Sequence, residues 1–329
     1  MKTINIGLIG CGYWGKNYVS TLGNIDDCNL CWIYNKHNEI PKQKLPSGVK
    51  FTKCYHDILQ DADVHAIIIA TPPGTHHEIA MNSLLADKDV LVEKPFTCNS
   101  SKSLSLLSLA EKKSRVLMVG HIFLYNPAVI ELKRLIDANE LGNLLYFFSR
   151  RSGPGPVSSD VSAMWSMAPH DISMINFLNN GKLPVMVSAN GGSYLKHHIE
   201  DVADLVLEYE NNVKAFIHVG WMEPKKTRET TIVGDLKKAV IDDMSEKKLT
   251  LYDSGDPNNC YHPDLEKISP LENQCRHFLK CVSNGAIPLT DGYDGYANDK
   301  ILECAQNSLQ TGAKVKTDIL DRHIASLIK

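Results

Sequence analysis

Short apolar runs rich in β-branched residues alternate with amphipathic stretches from the start of the chain to Gly120. That alternation predicts βαβ units around a parallel sheet. Strands are predicted at residues 5–9, 29–34, 66–70, 90–92 and 116–119, with helices between them at about 13–22, 76–86 and 101–113. Residues 66–70 are apolar without a break, as in a strand covered by helices on both faces. Beyond Gly120 the texture changes. Asn126-Pro127 pairs a capping side chain with a proline in the first turn, predicting a helix to about residue 139. Strands then follow at 144–151, 185–190, 202–209, 214–219, 229–233 and 239–242, a run read as without intervening helices. Such a run argues for a mainly antiparallel sheet. Two late helices, 271–283 and 292–309, flank a Pro288-Leu289-Thr290-Asp291-Gly292 turn. The predicted class is α/β: an N-terminal doubly wound parallel sheet of the Rossmann type over residues 1–122, then an α+β domain over 123–329.

Composition narrows the function classes. The chain has 329 residues, 43% hydrophobic and 22% charged, an ordinary globular mixture. Thirty-five basic residues face 38 acidic ones, for a net charge of −3, so charge offers no pull towards nucleic acid or an anionic membrane. The longest apolar stretches are strand-sized and span no bilayer. Asn5 and the glycines up to Gly12 interrupt any signal-peptide core at the start. Nine scattered cysteines read as reduced thiols of a cytoplasmic protein. Cys28 and Cys31 form one CxxC, and His76-His77 and His197-His198 are doublets; none has partners at metal-ligand spacing, so no metal is expected.

Gly10-Cys11-Gly12-Tyr13-Trp14-Gly15 follows the first predicted strand and opens the first helix. Gly10 permits the tight turn, Gly12 bares backbone for a pyrophosphate, and Gly15 lets helix and strand pack closely. With Tyr13 and Trp14 this turn is the expected dinucleotide site. Gly10 to Lys16 also fits GxxxxGK, but Asn17 lacks the hydroxyl that a triphosphate loop needs for magnesium. The acidic residue that holds the ribose in such folds is replaced by Asn35, with Lys36 next. An amide bonds a hydroxyl without repelling a phosphate, so the expected cofactor is NAD or NADP, with NADPH accepted.

Two more segments fall at carboxyl ends of predicted parallel strands, where such sheets bind ligands: Thr71-Pro72-Pro73-Gly74-Thr75-His76 and Glu93-Lys94-Pro95. Pro95 biases Lys94 towards an extended backbone. A lysine there can stabilise an alkoxide as hydride departs, although a strand-end lysine on its own is usually a solvated charge. Farther on, Trp165-Ser166-Met167-Ala168-Pro169-His170-Asp171 precedes a predicted helix at 172–178, and His170 suits a general base at neutral pH.

Together these segments resemble the Gfo/Idh/MocA family of nicotinamide-dependent oxidoreductases over nearly the whole chain. The likeness rests on GCGYWGKN, ATPPGTHHEIA, VEKPFT, GHIFLYNPAV, MAPHDIS and HFLKCVSNGAIPLTDG, of which EKP after a Rossmann strand is the most specific. The resemblance implies Lys94 and His170 as the catalytic pair, with Glu93, Thr71, Pro72 and His76 near the cofactor. It also implies an open second sheet through which the protein forms a homodimer or homotetramer. Two departures stand out: Ser166 occupies the place four residues before the histidine where many relatives carry aspartate, and Asn35 replaces the acidic ribose ligand.

GHIFLYNPAV and APHDIS look like the branch that oxidises or reduces nucleotide-linked sugars at C3. Arg150, with Arg151, is a candidate for a diphosphate if it faces the site, and a solvated or interface residue otherwise. Tyr125, Asn126, Trp165 and Asp171 are candidates to shape the sugar site. A free polyol or cyclitol dehydrogenase and a non-catalytic NAD(P)-binding regulator are the alternatives.

Overall fold

Parallel pairing of short buried strands organises the first part of the chain, as its unbroken apolar runs require. A computed structural model describes residues 3–36, 48–154, 161–195 and 198–327. Its first elements are β1 (Ile4–Ile9), α1 (Gly15–Leu22), β2 (Cys28–Tyr34), β3 (Lys50–Thr52), α2 (Tyr55–Gln60), β4 (Ala66–Ile69), α3 (His76–Leu85), β5 (Asp89–Val92), α4 (Ser100–Lys113) and β6 (Leu117–Val119). The six strands lie in the order β3-β2-β1-β4-β5-β6, and each pairing is parallel. Every residue of β4 and β5 is buried. The strand order reverses between β1 and β4, and a sheet of this kind binds ligands beside the carboxyl ends at such a switch point. β3 and α2 are too short to leave a periodic signal, and residue patterning passes over them.

The second group comprises α5 (Pro127–Asp137), β7 (Leu144–Ser152), α6 (Ala163–Leu178), β8 (Met186–Gly192), β9 (Val202–Glu208), β10 (Lys214–Gly220), β11 (Thr227–Gly234), β12 (Lys237–Asp242), β13 (Leu249–Asp253) and β14 (Asp256–Tyr261). After it come α7 (Pro270–Asn284), α8 (Gly292–Thr311), β15 (Val315–Lys316) and α9 (Arg322–Leu327). Nine strands form one sheet in the order β14-β13-β12-β11-β7-β10-β9-β8-β15. β7 and β10 pair in parallel, and the other neighbours are antiparallel. Along β7, Phe147, Ser149 and Arg151 are buried while Phe148 and Arg150 are exposed, the alternation of a sheet covered on one face.

The chain forms two compact units, and the second is not the contiguous 123–329 that the strand pattern suggests. One unit holds the chain through Ile122 together with Ser269–Tyr296 and the residues from Leu320 on; the other holds Phe123–Ile268 and Ala297–Ile319. α7 returns because its apolar side, with Leu271, Cys275, Phe278 and Leu279 buried, packs on α1 and β1. Thr290 Oγ1 then donates to the Val119 carbonyl at 2.8 Å. A second difference concerns α6. It begins at Ala163, where the Ser162 side chain accepts from the Trp165 amide, and carries Pro169 inside it. His170 therefore sits within a helix and not at its start.

Candidate active site

The glycine turn after β1 is built from three different steric demands. Gly10 has φ +104°, and a Cβ there would lie 2.6 Å from the Ala70 carbonyl carbon and oxygen. A Cβ on Gly15 would lie 2.1 Å from the Gly10 oxygen, so only glycine lets α1 start this close to the strand end. At Gly12 a Cβ would meet nothing within 4 Å, which leaves open backbone at the start of α1. Such a cradle fits an approaching pyrophosphate. Tyr13 beside it is 92% exposed, whereas Trp14 is half-buried. Asn35 and Lys36 follow β2, Asn35 half-buried with its amide donating to the Thr52 carbonyl and Lys36 exposed.

Two loops at neighbouring strand ends are tied together beneath the surface. His76, 1% exposed at the start of α3, has Nδ1 2.9 Å from the Pro95 carbonyl oxygen and Nε2 2.8 Å from that of Thr71. The expectation of a cofactor contact at His76 gives way to a buried clasp between the loop after β4 and the segment after β5. Burial holds its pKa down, although the carbonyls around it favour the protonated ring. Pro72 accepts from the Thr75 amide and hydroxyl, and the same hydroxyl reaches Thr71 Oγ1 at 2.7 Å.

Glu93, at the end of β5, is buried and accepts from Trp14, Tyr18 and the Lys94 amide. Lys94 is half-buried and joined to Pro95 by a cis bond. His121, after β6, is 1% exposed, with neither ring nitrogen bonded to a partner among the described residues. Burial first, then the Lys94 charge, drives the His121 pKa down to about 3, so its ring is neutral. A buried neutral imidazole with two unmet nitrogens is the kind of group that a bound ligand's polar atoms satisfy.

In the other unit, α6 presents Trp165, Ser166 and His170 as half-buried residues, with Ser166 one turn before His170 on the same side. The ring of Phe123 stands 5.0 Å from that of His170, and the Arg151 guanidinium lies 4.2 Å from the Phe123 ring centre. Arg151 Nε donates to Asp171 Oδ2 at 2.8 Å and its Nη2 to Oδ1 at 3.0 Å. Ser149 Oγ adds a bond of 2.8 Å to Asp171 Oδ1 and meets Thr230 Oγ1 at the same distance. Asn298 Nδ2 donates to the Pro169 carbonyl at 3.0 Å, and Ser173 Oγ donates to that of His170 at 3.1 Å. The helix around the histidine is held from both sides.

Three substrate candidates change role on this geometry. Asp171 is 1% exposed with both oxygens engaged, so it anchors α6 instead of facing a substrate. Arg150 points to the exposed face of β7, away from Arg151 and α6, because neighbouring strand residues alternate sides. Asn126 is buried and its side-chain oxygen accepts from the Ala128 amide, a helix cap. Tyr125 is 3% exposed. Residue reasoning missed Arg151 as a buried partner, Phe123, Tyr18, Gln274 and His121. For Arg151 the alternation of β7 shows only that it shares a face with Phe147 and not with Arg150.

Comparison with known proteins places these features in a family. Residues 4–121 match a family model described as an oxidoreductase family with NAD-binding Rossmann fold, and residues 129–240 match the GFO/IDH/MocA C-terminal domain. The chain is 24% identical over 332 residues to inositol 2-dehydrogenase 2 of Saccharopolyspora erythraea, covering 96% of each. A putative oxidoreductase from Magnetospirillum magnetotacticum superposes with a TM-score of 0.84 at 27% identity, covering 92% of this chain and 100% of that one. UDP-N-acetylglucosamine 3-dehydrogenase of Acidithiobacillus ferrooxidans shares the fold at a TM-score of 0.82 and 22% identity, covering 94% and 99%. Among the described residues no helix is long and apolar enough to cross a membrane. With both of its characteristic domains matched along one chain, this protein belongs to the Gfo/Idh/MocA family of NAD-binding oxidoreductases.

Proposed function

We propose that this protein moves a hydride between the C4 position of a nicotinamide cofactor and a secondary carbinol carbon on a sugar-like ring. The observation that carries this reading is the position of Lys94. It follows β5, beside β4, which adjoins β1 and its glycine turn. The residues that hold the dinucleotide are the turn from Gly10 to Gly15, with Asn35 and Lys36 at the ribose end. The bound nicotinamide supplies the hydride acceptor or donor. Lys94 stabilises the substrate oxygen as charge develops on it, and His170 takes the hydroxyl proton on oxidation and returns it on reduction. Ser166, on the same side of α6, relays that proton without a carboxylate's charge.

The substrate reading drawn from GHIFLYNPAV and APHDIS is C3 of a nucleotide-linked sugar, and the fold likeness to a UDP-N-acetylglucosamine 3-dehydrogenase supports it. One observation favours a free cyclitol or polyol instead. Arg151 is spent on Asp171 and Arg150 lies on the opposite face of β7, so neither arginine serves a diphosphate on the α6 side. The similarity to an inositol 2-dehydrogenase points the same way. Competition by UDP or dTDP separates the two: inhibition by the free nucleotide supports the linked sugar, and its absence supports the free ring.

Lys94→Ala tests the chemistry. Turnover is expected to fall by two or more orders of magnitude, on the scale of losing one charge-stabilising group, while NADH affinity by calorimetry stays near that of the wild type. Normal turnover in that variant removes Lys94 from the reaction.

A further inference from the structure

We infer that Glu93 is a positioning residue that binds the dinucleotide turn to the catalytic strand end and holds a negative charge beside Lys94. This inference rests on the role proposed above for Lys94.

The case begins with the donors around the carboxylate. Glu93 is 7% exposed, yet Trp14 Nε1 donates to its Oε1 at 2.6 Å, Tyr18 OH donates to the same oxygen at 2.6 Å, and the Lys94 amide donates to Oε2 at 3.2 Å. The indole and peptide N–H groups can only donate, and they occupy different oxygens. Gln274 Nε2 donates to the Tyr18 oxygen at 2.9 Å, which leaves the phenolic hydrogen for Glu93. Each of these hydrogens points at the carboxylate, and its full set of lone pairs accepts them best when it is ionised. Burial leaves the Glu93 pKa raised overall, while the Tyr18 bond, the Lys94 charge and the Trp14 bond oppose that rise. The three donors favour the ionised form. Gly120 completes the fit, since a Cβ there would come within 3.0 Å of the carboxylate carbon and both its oxygens.

The arrangement has two consequences. Trp14 lies between Gly12 and Gly15, and Tyr18 lies one turn farther along α1, so both project to the same side of the helix start. Their shared acceptor belongs to the residue before Lys94. The open backbone at Gly12 and the lysine are thereby fixed relative to each other through Trp14, Tyr18 and Glu93. The second consequence is electrostatic: charge coupling is mutual, so a carboxylate that is stabilised by the Lys94 ammonium stabilises that ammonium in return. Glutamine in its place cannot offer an acceptor on both sides, because one of its two terminal atoms is an NH₂ donor.

The test uses the full-length protein, with NADH as the probe ligand. Acetic anhydride labelling of Lys94, followed by mass spectrometry across a pH series, reports its protonation without any substrate. Glu93→Gln is expected to make Lys94 roughly tenfold more reactive at a fixed pH near 8, the effect of about one unit in its titration, and to weaken NADH binding. Trp14→Phe and Tyr18→Phe, which delete only the donors, are expected to weaken NADH binding several-fold with labelling like that of the wild type. These two variants also carry the test if Glu93→Gln does not fold. A folded Glu93→Gln with an unchanged labelling curve overturns the charge role, and unchanged NADH affinity in both aromatic variants overturns the tie. Failure of the Lys94 reading shows elsewhere, as normal turnover of Lys94→Ala.

Discussion

At Gly15 an added methyl group would sit 2.1 Å from the Gly10 oxygen, whereas at Gly12 it would meet open space. The two glycines of one motif therefore answer to different pressures, the first to packing and the second to what approaches from outside. Gly15→Ala is expected to lower stability by at least ~1–3 kcal/mol, the usual cost of overpacking a tight contact, measured by urea unfolding. Gly12→Ala is expected to leave unfolding unchanged while weakening NADH binding at least tenfold, measured by calorimetry. Wild-type NADH affinity in Gly12→Ala would mean that the cofactor does not approach bare backbone there. The motif is legible in sequence because glycines at these offsets from a strand end meet steric demands that arise within a few residues: a tight turn and a close backbone approach. The partners of Glu93 are not legible, since Trp14, Tyr18 and Gln274 meet it only through the fold.

α6 carries the histidine, and its placement depends on an ion pair beneath it. Arg151 is 5% exposed and Asp171 1%. Removing one member of such a pair strands a buried charge. Asp171→Asn is expected to cost ~3–5 kcal/mol in urea unfolding, as is usual for breaking a buried pair. The double variant Arg151→Met/Asp171→Leu is expected to recover part of that loss, because no charge is then left unpaired. A single variant as stable as the wild type would show that the pair does not hold the helix. The alternating pattern of β7 reveals that Arg150 and Arg151 face opposite ways. It does not reveal which of them is inside, because a buried arginine looks like an exposed one until its carboxylate partner is known. Pro169 hides the true start of α6 in the same manner: proline inside a helical pattern reads as a boundary.

On the exposed face of the nine-stranded sheet, Tyr146, Phe148 and Phe216 are 42%, 45% and 38% exposed. Beside them Asp204, His218, Arg150 and Glu229 sit opposite one another across β9, β10, β7 and β11. Apolar surface with a mixed-charge border suits association with a second copy. Phe148→Glu with Phe216→Glu is expected to lower the mass of the species seen by sedimentation velocity while leaving the circular dichroism spectrum intact. A wild-type protein that sediments as a monomer would refute the homo-oligomer that the family resemblance implies. Residue order alone was enough for the class of each sheet, the glycine turn and the loops that follow β4 and β5, because those follow from periodicity and from steric rules that act over a few residues. The return of α7 to the first unit, the anchoring of α6 by Asp171 and the three donors gathered at Glu93 were settled by the folded chain. Each of those outcomes depends on residues far apart in the chain, whose burial and pairing no local pattern encodes.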